Sequence, residues 1–418
     1  MADQDQTVNT AFLEEIAFNG QYDQLRDHLI ENAAPAVRRR AAELFTEYSR
    51  AIGDDRAETV TGWLVAAAAQ EPHDEVRARI LEALLEFDED AIDDLVAVIA
   101  DADRPTPGDT PYPQVFFDWL GSHAAALRLV AVAGLGDLGR SRVVPKLATA
   151  CSDRDVRVRR RAIIECGRVG DDRCVRAVAA NLDSEDEAIR LAAADALVAI
   201  GSEKALRALL PAAKSGDTAV RKRAMEGIGA LGSLQVLGTL LRGLDDETAE
   251  IRQAAATAII RLVAEAPSDE SHRVRETVAE QLTTYPNRDV VAEFLTLFAD
   301  TDEAVIRRNT AWVLGRIADD DPRADVIRCL VRAIDDGDDR TAQVAASSLV
   351  RIGEPAIIDE LESFVAAADL GTKALSRADF IRNHLTDSEA EERLKNAVEY
   401  VKVSDPGDYT RQKAGTSD

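Results

Sequence analysis

A chain of 418 residues with 46% hydrophobic but only 5% aromatic residues is longer than one ordinary globular core and has few large side chains to fill one. Its formal net charge is −26, and of its 50 basic residues 42 are Arg and 8 Lys by count; this argues against non-specific nucleic-acid binding, so no nucleic-acid partner is expected. No apolar run approaches the roughly 18 residues needed to span a bilayer, and the N-terminus, MADQDQTVNT, lacks the basic and apolar regions of a signal peptide, so a cytoplasmic, membrane-independent protein is expected.

In chain order, Val8 to Phe18 and Asp23 to Glu31 read as two helices, and residues 1–31 as an N-terminal cap. Val37-Arg38 and Val76-Arg77 open two helical phrases, with Thr59 to Gln70 between them and Ile92 to Ala100 after them. An insertion at 101–123 follows. Pro105, Pro107, Pro111 and Pro113 predict a loop there, and Tyr112, Phe116, Phe117 and Trp119 are either rings that plug the stack or rings that dock a partner.

From Leu127 the pattern becomes regular. Leu127-Arg128, Val158-Arg159, Ile189-Arg190, Val220-Arg221 and Ile251-Arg252 open five phrases spaced by 31 residues. A fixed period of this size predicts a repeat array. Counting the first apolar residue as position 1, apolar residues fall at 1, 5, 8, 9 and 12, which is helical spacing. Gly139, Gly170, Gly201 and Gly232 close four of the phrases, and Asp155, Asp186, Asp217 and Thr248 stand where an N-cap is needed. Short apolar runs (Val143 to Cys151, Cys174 to Leu182, Ala205 to Ala213, Val236 to Leu244) supply the other helix of each unit. Neither helix buries its face alone, so the units stack.

Beyond Val263 an extra helix is expected at 271–285, then phrases at Ile306 and Thr341. The array runs over 32–368, with capping helices at 369–402 and a disordered tail at 403–418.

The motif Asp-x-x-Val/Ile-Arg-x-x-Ala with a Leu/Ile-Gly ending, as in Asp186 to Gly201 and Asp217 to Gly232, resembles the HEAT-like repeat of the phycobilisome-lyase type. The Lys-poor acidic composition is haloarchaeal in character. The resemblance implies an all-α fold, a right-handed α-solenoid of stacked helix-turn-helix repeats whose second helices line the concave face. It also implies a non-catalytic scaffold or adaptor, a role similar haloarchaeal proteins play in taxis signalling. The alternatives it raises are a bilin lyase or tetrapyrrole chaperone and a nucleic-acid-binding HEAT-like protein.

Two residue sets are singled out. The Arg at position 2 falls inside the apolar arc and needs a carboxylate, so a structural ladder is expected of Asp155, Arg159, Asp186, Arg190, Asp217, Arg221, Arg252 and Arg307, with the capping aspartates as partners. Positions 3, 4, 7 and 11 form the solvent stripe. Arg168, Arg261, Arg316 and Arg351 at position 11, with Trp312, Arg160 and Arg161 beside them, would hold a protein partner with an acidic surface.

Catalytic signatures are weak. His28, His73, His123, His272 and His384 lie far apart, and none precedes a Glu as in the iron-binding pairs of deoxyhypusine hydroxylase. Cys151, Cys166, Cys174 and Cys329 show no Cys-x-x-Cys spacing and read as small buried thiols. No cofactor, metal or catalytic residue is expected, and the chain is expected to be a monomer.

Overall fold

The computed structural model describes residues 11–102, 114–139, 141–286, 290–318, 323–367 and 370–386. These are helical or in short turns, with no strand among them. The fold is an all-α solenoid. It divides into two units, Met1–Ala205 and Leu206–Asp418.

The first unit contains α1 (residues 11–18), α2 (Tyr22–Glu31), α3 (Pro35–Glu47), α4 (Ser49–Ile52), α5 (Asp54–Gln70), α6 (Asp74–Phe87), α7 (Ala91–Ala102), α8 (Gln114–Trp119), α9 (Ala125–Leu138), α10 (Val144–Ala150), α11 (Val156–Val169), α12 (Val175–Ala179) and α13 (Glu187–Ile200). The second helices of the repeats, α3, α6, α9, α11 and α13, pack each on the next. Helix α14 (Glu203–Ala208) follows. The second unit then runs through α15 (Thr218–Gly229), α16 (Leu237–Gly243), α17 (Ala249–Glu265), α18 (Ser271–Thr283), α19 (Val290–Asp300), α20 (Ala304–Ile317), α21 (Arg323–Ala333), α22 (Asp339–Ile352), α23 (Ala356–Ala367) and α24 (Thr372–Thr386). Here α15, α17, α20, α22 and α24 stack.

The helices start and stop where the side chains dictate. Asp155, Asp186, Asp217 and Asp338 each accept a backbone N–H of the first turn, whereas Thr248 makes no such bond. Gly139, Gly170, Gly201 and Gly353 are left-handed C-caps, a conformation that penalises any residue with a Cβ.

Position 10 sets how closely neighbours approach. A Cβ on Gly167 would lie 2.9 Å from the Cα of Ala196, and one on Gly229 2.7 Å from the Cα of Ala258. Both contacts join position 10 of one phrase to position 8 of the next. Within the region 369–402 where capping helices were expected, α24 is a single 15-residue helix. Residues 387–402 and the tail at 403–418 lie outside the described residues.

Candidate interaction surface

The recurring Arg is locked by the turn that precedes its own helix. Arg38, Arg128, Arg159, Arg190, Arg221, Arg252 and Arg307 each donate through Nη1 to the carbonyl six residues upstream, at 2.7–3.1 Å. Arg77 reaches the equivalent carbonyl of Glu71 through Nη2. The side chain of that same upstream residue accepts the N–H of the N-cap, as Ser122, Asp153, Ser184, Ser215, Asp246, Thr301 and Asp336 do. One residue thus closes the turn with its side chain and anchors the Arg with its carbonyl.

Where that residue is an acid, it also holds the Arg of the preceding phrase. Arg128 grips Asp153 at 2.8 Å through both Nε and Nη2; Arg221 pairs with Asp246 and Arg307 with Asp336 in the same way, and Arg38 with Glu71. For these arginines the partner is therefore not the capping aspartate, as expected, but the residue two before the cap. Asp155 instead pairs with Arg157 on its own helix. Position explains the difference: the cap's carboxylate is turned to the first turn of its own helix, whereas the pre-cap carboxylate closes the turn and still reaches the Arg of the preceding repeat. Arg252 takes Glu293 at 2.7 Å.

Burial raises the Asp153 carboxyl pKa, but the Arg128 bonds outweigh it and hold the value below the ordinary range. Arg128 and Asp153 have side chains only 7% and 13% exposed, so this pair is shielded from solvent screening.

Of the two readings of the insertion rings, burial favours the one in which they plug the stack, not the docking loop. Phe116 and Trp119 are 1% and 3% exposed, on helix α8 rather than in a loop. Phe116 fills the space a side chain at Gly134 would need, its ring lying 2.5 Å from where that Cβ would be. The Trp119 indole donates to Asp74 at 3.1 Å, with Arg77 stacked 4.8 Å from its ring centre. Phe117 is half-buried, and Tyr112 lies outside the described residues. These rings complete the stack: with α8 packed on it, α9 is buried from Ala126 to Gly136.

Trp312 and Arg316 are corrected in the same way. The extra helix α18 covers α20. Trp312 is 1% exposed, with Arg316 stacked 3.8 Å and Arg275 of α18 5.6 Å from its ring centre, and Glu276 of α18 lies 3.5 Å from Arg316.

Of the remaining arginines of the expected patch, Arg160, Arg161, Arg168 and Arg261 face acids of their own unit. Arg160 reaches Glu89 at 3.7 Å, Arg161 bonds Asp93, and Arg168 bonds Asp137 at 3.0 Å; their neighbour Arg157 reaches Glu82. Arg261 pairs with Glu303 at 3.3 Å, and Arg351 is exposed on α22.

One acid was missed. Glu165, at core position 8, is 0% exposed and bridges Arg161 and Arg168, occupying the slot opened by Gly136, whose Cβ would fall 2.1 Å from its Oε2. Burial pushes its carboxyl up, against the pull of the two arginines. The signal was present as an acid at an apolar position with Arg four before and three after.

Among the exposed surfaces is one row along α11, continued on α13. Val156, Arg160, Ile164 and Arg168 recur every four residues along α11 and are all exposed, the two apolar side chains by 39% each. Asp195 and Ala199 continue this surface on α13. It carries no arrangement of nucleophile, base and orienting group, and no group of three or more potential metal ligands occurs among the described residues.

Two-helix repeats stacked within each unit, several of them joined by an Arg that grips a turn acid of the following repeat, define an α-solenoid repeat protein. The chain belongs to the HEAT-repeat family: the HEAT repeats profile matches 113–186, 144–217, 175–261 and 259–349, together more than half of the chain. A HEAT repeat-containing taxis protein of Halobacterium salinarum is 27% identical over 141 residues, 34% of this chain and 35% of that protein, so the likeness spans about a third of the relative's length. Among solved structures, an engineered protein shares the fold with a TM-score of 0.55 at 17% identity, over 88% of this chain and 99% of that one. The CpcE–CpcF complex of phycocyanin lyase from Nostoc aligns with a TM-score of 0.32 at 18% identity, over 68% of this chain and 98% of that one. No described helix is long and apolar enough to cross a membrane.

Proposed function

We propose that this protein is a non-catalytic scaffold that binds another protein along the open edge of α11 and α13, in taxis signalling. The observation that carries the reading is the Val156–Arg160–Ile164–Arg168 row. Exposed apolar side chains alternate there with arginines, the mixture of apolar contact and bidentate donors that partner-binding surfaces favour. The taxis setting rests on the haloarchaeal relative that matches part of the chain.

Arg160 is satisfied internally by Glu89, and Arg168 by Glu165 and Asp137. A purely acidic partner would have to displace those carboxylates. The partner surface this edge suits is therefore apolar at its centre, with acids at its rim that share Arg160 and Arg168.

The test compares co-purification at the host's own salt for wild type, Ile164→Asp and Arg351→Glu. Ile164 is exposed, so the change leaves the core intact. The reading predicts that one protein set is retained by wild type and Arg351→Glu and lost from Ile164→Asp, and that Ile164→Asp impairs taxis in the host. Equal recovery from all three would remove this edge as the docking site; normal taxis despite lost binding would remove the signalling role.

A further inference from the structure

Three of the four cysteines converge where two adjacent repeats meet. Cys151 ends α10, Cys166 lies within α11 and Cys174 precedes α12. Each is 0–1% exposed, and the sulfurs of Cys151 and Cys166 are 3.7 Å apart. They come from three short, separate elements, so their meeting is a product of the fold and not of local spacing.

We infer that this cluster is an oxidation site, in which Cys166 forms an intrachain disulfide with a neighbouring thiol, Cys151 being the one in direct sulfur contact. The oxidant is a small peroxide. A thiolate attacks one peroxide oxygen, the O–O bond breaks and hydroxide leaves. The Cys166 sulfur then displaces hydroxide from the resulting sulfenic acid. Two thiols lose two protons and two electrons, and the peroxide becomes two waters.

Cys166 contacts both other thiols and so lies at the centre of the cluster. Contacts with Cys151 and Cys174, and burial, push the Cys166 thiol up, so Cys166 acts second and gives its proton to the departing hydroxide as the S–S bond forms. The Cys174 pKa is lowered by accepting from Cys166, which makes it the readier nucleophile. A Cys166–Cys174 bond formed first would pass to Cys151 by thiol–disulfide exchange, because Cys151 touches the Cys166 sulfur. Access needs only local opening of α10 and α12, which are seven and five residues long. The bond would tie α10 to α11, the helix that carries the open edge.

The chain supplies its own assay. Trypsin places Cys151 in 147–154, Cys166 in 162–168, Cys174 in 174–176 and Cys329 in 329–332, all on separate peptides. Full-length protein is treated with hydrogen peroxide, denatured in an alkylating reagent and digested without reduction. The expected result is loss of two of the four thiols per chain and a cross-linked peptide containing 162–168, with Cys329 still alkylated. Cys174→Ala should slow the reaction and retain the Cys151–Cys166 product, and Cys166→Ala should abolish every intrachain cross-link. Four thiols left reactive, cross-links only between chains, or undiminished cross-linking in Cys166→Ala would overturn the assignment.

Discussion

Of the arginines at position 2, Arg128 and Arg159 make the same bond to the carbonyl six residues back, but only Arg128 has an acid, Asp153, to grip in the next repeat. At the corresponding position ahead of Arg159 stands Ser184. Removing Arg128 leaves a partly buried carboxylate uncompensated, so Arg128→Ala should cost about 3–5 kcal/mol. Arg159→Ala should cost only about 1–2 kcal/mol, the worth of the lost hydrogen bonds. Denaturant midpoints of the two variants check the difference, and equal losses would mean that the carboxylate contributes nothing. A pH consequence follows from the depressed Asp153 pKa. A carboxyl held below its unfolded value adds stability that is fully present above the ordinary carboxylate range and is lost as pH falls through the folded value. The acid limb of a stability–pH curve should therefore flatten in Asp153→Asn. The need for a carboxylate was legible at position 2 because a cation sat inside an apolar arc. Its identity was not, since cap and pre-cap aspartates look alike in sequence, and only the turn geometry separates the oxygen that closes a helix from the one that faces the next repeat.

The helices themselves were legible because the 31-residue period repeats the same apolar spacing, and the two breaks in that period mark where the array departs from it. Both breaks insert a helix that covers a second helix: α8 on α9, and α18 on α20. The proline-rich run suggested a loop, yet Gln114 to Trp119 is helical because it lies beyond the last proline, Pro113, and its rings find an apolar wall at Gly134. The same burial removed Phe116, Trp119 and Trp312 from the surface on which their ring character had placed them; an aromatic at a solvent position of the repeat is a sign that something covers it. Gly134→Ala forces its Cβ into the Phe116 ring and should destabilise by about 1–3 kcal/mol. A thermal melt of Gly134→Ala with and without Phe116→Leu tests this, since the smaller side chain should recover most of the loss if the clash is its cause.

At the scale of the molecule, each unit is held by contacts between neighbouring repeats, so damage stays local. Leu197 of α13 is fully buried, and Leu197→Ala should cost about 2–5 kcal/mol. Hydrogen exchange should then show α11 and α13 opening well before α3 and α6, whereas uniform acceleration through the first unit would contradict nearest-neighbour coupling. Which surface remains for a partner is a property of the assembled stack, because it depends on where the inserted helices lie. That is why a stripe drawn from position numbers alone included Trp312 and Arg316, which α18 covers. The edge of α11 and α13 is one of the surfaces the inserted helices leave exposed. The most direct measurement is photo-crosslinking in the host with a photoreactive side chain placed in turn at Ile164 and Asp195 on the open edge and at Lys146 on the exposed side of α10. Adducts to one and the same protein from positions 164 and 195, and none from 146, are what a scaffold docking along this edge predicts. Adducts from 146 with none from 164 or 195 would contradict it.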